Sequence, residues 1–213
     1  LRDHGGSHHL NLEPFVSTRI SDPVGALADI ARRLPGGDNP FLIGFSMGGN
    51  VALRTADAAT QAGLQIRTTL AVSPAINPLA TTQAIDSGPA LYSAYFKRKW
   101  VRSLNAKERA FPGQHVLEDM KTAPSLELAT ELFAPRFTPF EHYLDYLSAY
   151  TLTGEALSNL STPTHILTSA DDPVIPIEDF HDLSLPASVT LEITEHGGHC
   201  GFIRDWSFRC YTD

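Results

Sequence analysis

"GFSMGGN", residues 44–50, is the stretch on which the reading of this chain turns. It fits the pattern G-x-S-x-G. Three fixed residues, each at roughly 7% usage, recur by chance about once in 3000 positions, or about one chance in fifteen for a chain of this length. Spacing alone therefore says little, and the surroundings say more. "FLIGF" (41–45) is a short, continuously apolar run, which predicts a strand buried on both faces. From Met47 to about Ala62 the pattern turns helical and rich in alanine. A serine on such a strand-to-helix turn matches a nucleophile elbow, where a strained backbone lifts the hydroxyl above the sheet. Gly44 and Gly48 are expected there because side chains would collide with neighbouring backbone. Gly49 gives the helix room to pack close, and the Met47 N–H points where an oxyanion would form. The plain alternative is a glycine-rich connection with an incidental serine.

Working outward, "TTLAVSP" (68–74), "THILTSA" (164–170) and "VTLEITEH" (189–196) read as further strands, the last with clean alternation. "SDPVGALADIARRL" (21–34) reads as a helix capped by Ser21, with Pro23 in its first turn. Val24, Leu27, Ile30, Ala31 and Leu34 form its apolar stripe, and "PGGDNP" ends it. Strands separated by helices predict βαβ units, hence an α/β fold with a mostly parallel sheet flanked by helices. Residues 1–213 read as one domain. Residues 79–160 carry little strand signal and read as a helical, cap-like insertion. Within it, "YSAYFKRKWVRSLNAKERAF" (92–111) interleaves aromatics with Lys97, Arg98, Lys99 and Arg102. A basic face of an amphipathic helix is the reading preferred over a nucleic-acid or membrane patch.

A serine hydroxyl needs a base to become a nucleophile, and the base needs an orienting acid. On this kind of sheet they follow in the order Ser, Asp or Glu, His, each on a loop after a later strand. "SADDPVIP" follows 164–170, and "HGGHCGF" follows 189–196. Asp172, four residues before Pro176, is preferred as the acid, with Asp171 capping or bracing its loop. His199, after the Gly-Gly pair that lets the ring swing back toward Ser46, is preferred over His196 as the base. His196, His199 and Cys200 could also be metal ligands, but the paired spacings that zinc sites favour are missing.

The chain has 213 residues, 42% of them hydrophobic and 19% charged, enough for one sizeable core. Its net charge of −8 argues against nucleic acid and against an anionic membrane surface. No run of eighteen apolar residues is present to span a bilayer. The two cysteines, Cys200 and Cys210, make no disulfide framework, and a reducing cytoplasm is the default expectation.

Taken together, "LRDHG…HHLN" (1–11), "GFSMGGN", "SPAINP" (73–78), "YFKRKW" (95–100), "YTLTG" (150–154), "ADDPVIP" (170–176) and "HGGHCGF" (196–202) resemble the α/β-hydrolase superfamily. Within it the resemblance is to the YheT-like branch of candidate esterases and hydrolases, over essentially the whole chain. It implies Ser46 as nucleophile, Asp172 as acid, His199 as base, no cofactor and an intracellular location. In that branch the segment like "LRDHG" closes a central strand, with earlier strands and a helix before it. A loop among these supplies the second oxyanion donor. The expectation is therefore a chain that begins in mid-fold, its opening a strand end plus a loop whose histidines brace it or line the pocket rim. An uncovered N-terminal sheet edge would then be met by a homodimer or another partner.

The expected activity is serine-dependent hydrolysis of small-molecule carboxylic esters with small to medium acyl chains, the helical insertion forming an acyl pocket. Two competing readings are a catalytically weak or inactive truncated hydrolase fold serving as a binding module, and an acyltransferase using the same three residues.

Overall fold

The structure is a computed structural model that describes residues 1–35, 38–203 and 210. The helices are α1 (Ser21–Arg33), α2 (Met47–Gln61), α3 (Pro78–Ser87), α4 (Ala90–Ala110), α5 (Glu118–Thr122), α6 (Leu126–Phe137), α7 (Tyr143–Ser148) and α8 (Glu178–His181). The strands are β1 (Phe41–Phe45), β2 (Thr68–Val72), β3 (Thr164–Ser169) and β4 (Val189–Thr194). Two compact units form, one from residues 20–81 with 151–213, the other from 1–19 with 82–150. Among the described residues no helix is long and apolar enough to cross a membrane.

The first unit carries the sheet. All four strands are parallel and lie in chain order, β1-β2-β3-β4, as alternating strands and helices require. Gly44 stands opposite Ala71, Ala71 opposite Ile166, and Ile166 opposite Leu191. β3 is the most deeply buried strand, with Ile166, Leu167, Thr168 and Ser169 all inside. α2 packs on β1 and β2, and α1 packs on α2. The α2 face is alanine-rich, with Ala52, Ala56 and Ala59 buried, so the helix can lie close to the sheet.

Three local expectations need correction here. β1 is not buried on both faces: Phe41, Ile43 and Phe45 are 60%, 58% and 51% exposed, and only Gly44 is buried. Successive residues of a strand point to opposite faces. α2 covers the Gly44 side of this end strand and leaves the other side open. Ser21 does not cap α1; it is the first helical residue, Ile20 stands at the cap position, and no side-chain cap bond forms. The alternation expected of β4 is partial, because Ile193 is exposed at the opposite end of the sheet. Gly36 and Gly37, expected to help end α1, lie outside the described residues.

The second unit is helical. Val16, Leu104, Leu117, Met120 and Phe133 form its core, with Trp100, Leu132 and Phe137 packed against them. On α4, Arg98, Lys99 and Arg102 are exposed while Leu104 is buried, which is the basic outer face of an amphipathic helix. The opening stretch is not the end of a strand. Residues 1–6 form turns, and Ser7–Leu10 a short 3-10 helix. Lys107 holds this segment: its buried ammonium pairs with Asp3 at 2.6 Å and donates to the carbonyls of His8 and Asn11 at 3.2 and 2.7 Å. A charge buried this deeply is tolerated only with such partners. The opening histidines also have structural duties: His4 Nδ1 donates to the Arg2 carbonyl at 2.6 Å, and His8 Nε2 bonds Ser103 Oγ at 2.9 Å.

Candidate active site

Ser46 sits between β1 and α2 with φ of 53° and ψ of −122°. A non-glycine residue held there costs on the order of 1–3 kcal/mol, so its surroundings must impose the conformation. They do so through its main chain. The Ser46 N–H donates to the Val72 carbonyl at 2.9 Å, and its own carbonyl accepts from Gly49, Asn50 and Ala75 at 2.9, 3.2 and 3.2 Å. A Cβ at position 44 would lie 2.1 Å from the Gly48 carbonyl oxygen, and one at position 49 would lie 2.9 Å from Pro74 Cβ. The expectation for Gly48 is corrected: a Cβ there meets nothing within 4 Å. What the turn needs from position 48 is its carbonyl, pressed against Gly44. Met47 is the first residue of α2, so its N–H lies in the helix's first turn, beside Ser46.

The later loops bring two groups to Ser46. His199 Nε2 lies 3.0 Å from Ser46 Oγ, and His199 Nδ1 lies 3.0 Å from Asp172 Oδ2. A carboxylate only accepts, so in the neutral ring Nδ1 carries the hydrogen and Nε2 keeps a lone pair for the Ser46 hydroxyl to donate to. The Asp172 side chain has no exposure, and its other oxygen accepts from Val174 N and Ile175 N at 2.8 and 3.0 Å. Those bonds fix the carboxylate before it meets the ring. Burial lowers the imidazole's pKa, but the hydrogen bond with Asp172, and after it the Cys200 thiol, outweigh burial and push it up to about 9.

Of the alternatives, Asp171 is turned to the loop backbone: its Oδ1 accepts from the amides of Gly197 and Gly198 at 2.8 Å each. His196 is 79% exposed and points its Nδ1 at Asp171 Oδ2, 3.6 Å away. Among the described residues no three His, Cys, Asp or Glu side chains form a group able to hold a metal ion. Two contributors were not read from the sequence. Ser169 Oγ donates to the Gly198 carbonyl at 3.0 Å, and Cys200 acts on His199 as a neighbour that raises its pKa rather than as a metal ligand. The available signals were position: Ser169 ends β3, and Cys200 directly follows His199.

The arrangement can activate a hydroxyl: the imidazole takes its proton and the carboxylate stabilises the resulting positive charge. Comparison with known proteins places the chain in a family. A family model described as "Alpha/beta hydrolase family" matches residues 1–206. YheT of Escherichia coli (strain K12), a candidate esterase by name, is 28% identical over 172 residues, covering 76% of this chain and 48% of that protein. The chain thus spans about half the length of the curated relative it matches. The crystal structure of a serine hydrolase from Cycloclasticus zankles superposes with a TM-score of 0.50 at 15% identity, covering 88% of this chain and 66% of that one. A monoacylglycerol lipase from Paleococcus ferrophilus gives a TM-score of 0.45 at 18% identity, over 88% and 69% of the two chains. The Cycloclasticus structure is alike in fold.

Proposed function

Because the chain belongs to the alpha/beta hydrolase family, we propose that it is a serine hydrolase of carboxylic esters with small to medium acyl chains. The observation that carries this reading is the unbroken line of hydrogen bonds from Asp172 through His199 to a strained Ser46. Ser46 Oγ attacks the ester carbonyl carbon as its proton passes to His199 Nε2. The carbonyl oxygen takes up the negative charge, with the Met47 N–H as a donor to it. The tetrahedral species collapses: the carbon–alkoxy bond breaks, His199 returns the proton to the departing alcohol, and an acyl-Ser46 ester remains. Water then repeats the attack with His199 again as base, releasing the acid and restoring the serine. Asp172 holds the tautomer that makes both halves possible.

The test is a fluorophosphonate probe followed by a panel of p-nitrophenyl esters of increasing chain length. Labelling mapped to Ser46, a burst of p-nitrophenol, and a kcat/KM maximum among the short and medium esters are the expected results. A protein that neither labels nor turns over any ester would refute the reading.

A further inference from the structure

We infer that Asp171 is a positioning residue, whose carboxylate holds the amides of Gly197 and Gly198 and thereby sets where His199 stands; its effect on rate rests on the hydrolase reading above. One oxygen, Oδ1, accepts from both consecutive N–H groups at 2.8 Å. The same short stretch is gripped at its carbonyls as well. Ser169 Oγ donates to the Gly198 oxygen at 3.0 Å, and the Phe202 N–H donates to the Gly197 oxygen at 2.8 Å. There is no room for a side chain at Gly197, and at Gly198, where a Cβ would meet open space, the backbone conformation sets the requirement. A Cβ at position 197 would lie 2.7 Å from the Phe202 ring and 2.9 Å from Ser169 Cβ, and Gly198 has a φ of 55° that favours glycine.

The next residue is His199, whose ring must meet two partners at 3.0 Å each. A displacement of about 1 Å is enough to cost about 10²-fold in rate. Neighbouring aspartates therefore divide the work: Asp172 holds the ring, and Asp171 holds the backbone that carries it. The Gly198 amide, ahead of the opposing effect of burial, and then the Gly197 amide keep the Asp171 carboxyl below the usual carboxylate range. The clamp therefore keeps its charge in mild acid. The Asp171 side chain is 45% exposed, so its contribution is not that of a core residue.

Asp171→Ala and Asp171→Asn separate these roles, since asparagine keeps a carbonyl oxygen able to accept both amides. For the alanine variant kcat should fall by about 10- to 100-fold with KM little changed, and the asparagine variant should recover most of that loss. In NMR spectra of the unliganded proteins, the Gly197 and Gly198 amides should exchange faster in Asp171→Ala than in wild type or Asp171→Asn. The downfield Nδ1 proton of His199 should weaken in the alanine variant. Wild-type kcat and exchange in Asp171→Ala would overturn the inference, as would equal losses in both variants that simply track a lower Tm. If wild type is inert toward esters and probe, the hydrolase reading fails, while exchange and the Nδ1 signal still decide whether Asp171 positions His199.

Discussion

His199 Nε2 stands 3.0 Å from Ser46 Oγ, although 153 residues separate them in the chain. The contact exists because β1 and β4 run parallel in one sheet, so the loops after them leave from the same end. Groups acting as one unit fail together. Ser46→Ala should lower kcat by on the order of 10⁴- to 10⁶-fold, His199→Ala by a similar factor, and the double variant by little more. His196→Ala should keep near-normal rates. Steady-state kinetics on one chromogenic ester decide this. A dead His196 variant beside an active His199 variant would move the base.

The raised pKa of His199 fixes the pH dependence. The base works only when neutral, so kcat/KM should rise with pH through about 9, rather than through the unperturbed histidine value of ~6.5 that the sequence suggests. The same shift acts on stability with the opposite sign. The folded-state value lies above the unfolded one, so the stabilisation is full below ~6.5 and is lost as pH rises through about 9. Activity should climb over the window in which Tm declines. A rate profile already level by neutral pH would contradict the assignment, and His199→Gln should flatten that part of the Tm profile.

Asp172→Asn should cost orders of magnitude in kcat, though less than Ser46→Ala. Asparagine can still accept from Val174 N and Ile175 N, but it removes the charge that favours imidazolium and permits the wrong tautomer. The rate profile should also shift to lower pH, because the hydrogen bond with Asp172 is the largest influence raising His199. Full activity in this variant would remove Asp172 from the proposed mechanism.

What could be read from the sequence were the features written in local pattern. The strand-serine-helix order, the loop after each strand, and the choice of Asp172 and His199 all depend on spacing along the chain, and the geometry joins those residues. What could not be read depended on neighbours in space. "FLIGF" has the composition of a doubly covered strand, but whether Phe41, Ile43 and Phe45 are covered depends on what packs over them. The opening "LRDHGGSHHL" resembles a strand end, yet Lys107, about a hundred residues on, holds it through Asp3 and the His8 carbonyl as turns and a 3-10 helix instead. The His199 pKa likewise follows from burial and Asp172, neither visible in a motif.

The two glycines of the elbow should respond differently to alanine. A Cβ at Gly44 would press on the main chain of residues 48 and 49, at 2.1 Å from Gly48 O and 2.8 Å from Gly49 N, and no rotamer relieves a backbone clash. Gly44→Ala should open the turn and abolish both probe labelling and turnover. Gly48→Ala meets open space in a helix and should label and turn over normally, with Tm unchanged or slightly higher. Comparable damage from both substitutions would mean that the turn is not shaped by the Gly44–Gly48 contact.

The open side of β1 makes the last prediction. Among the described strands β1 pairs with β2 alone, so its other edge carries ladder groups with no strand beside them. On the side away from α2, Phe41, Ile43 and Phe45 stand in a row, each more than half exposed; the Arg67 guanidinium lies 5.4 Å from the centre of the Phe41 ring and shields only that end. An apolar edge of this kind is a template for another chain, and three large side chains on one face favour a single register over slippage. The polypeptide should therefore self-associate, with a sedimentation coefficient that rises with concentration. Ile43→Lys places a charge at the middle of the row, where the side chain already faces solvent, so it should cost the fold little. That variant should sediment as a monomer while Ser46 remains reactive to the phosphonate probe. If wild type is a monomer across the accessible concentration range, the β1 edge is not an association surface. If Ile43→Lys associates as wild type does, association runs through another part of the chain.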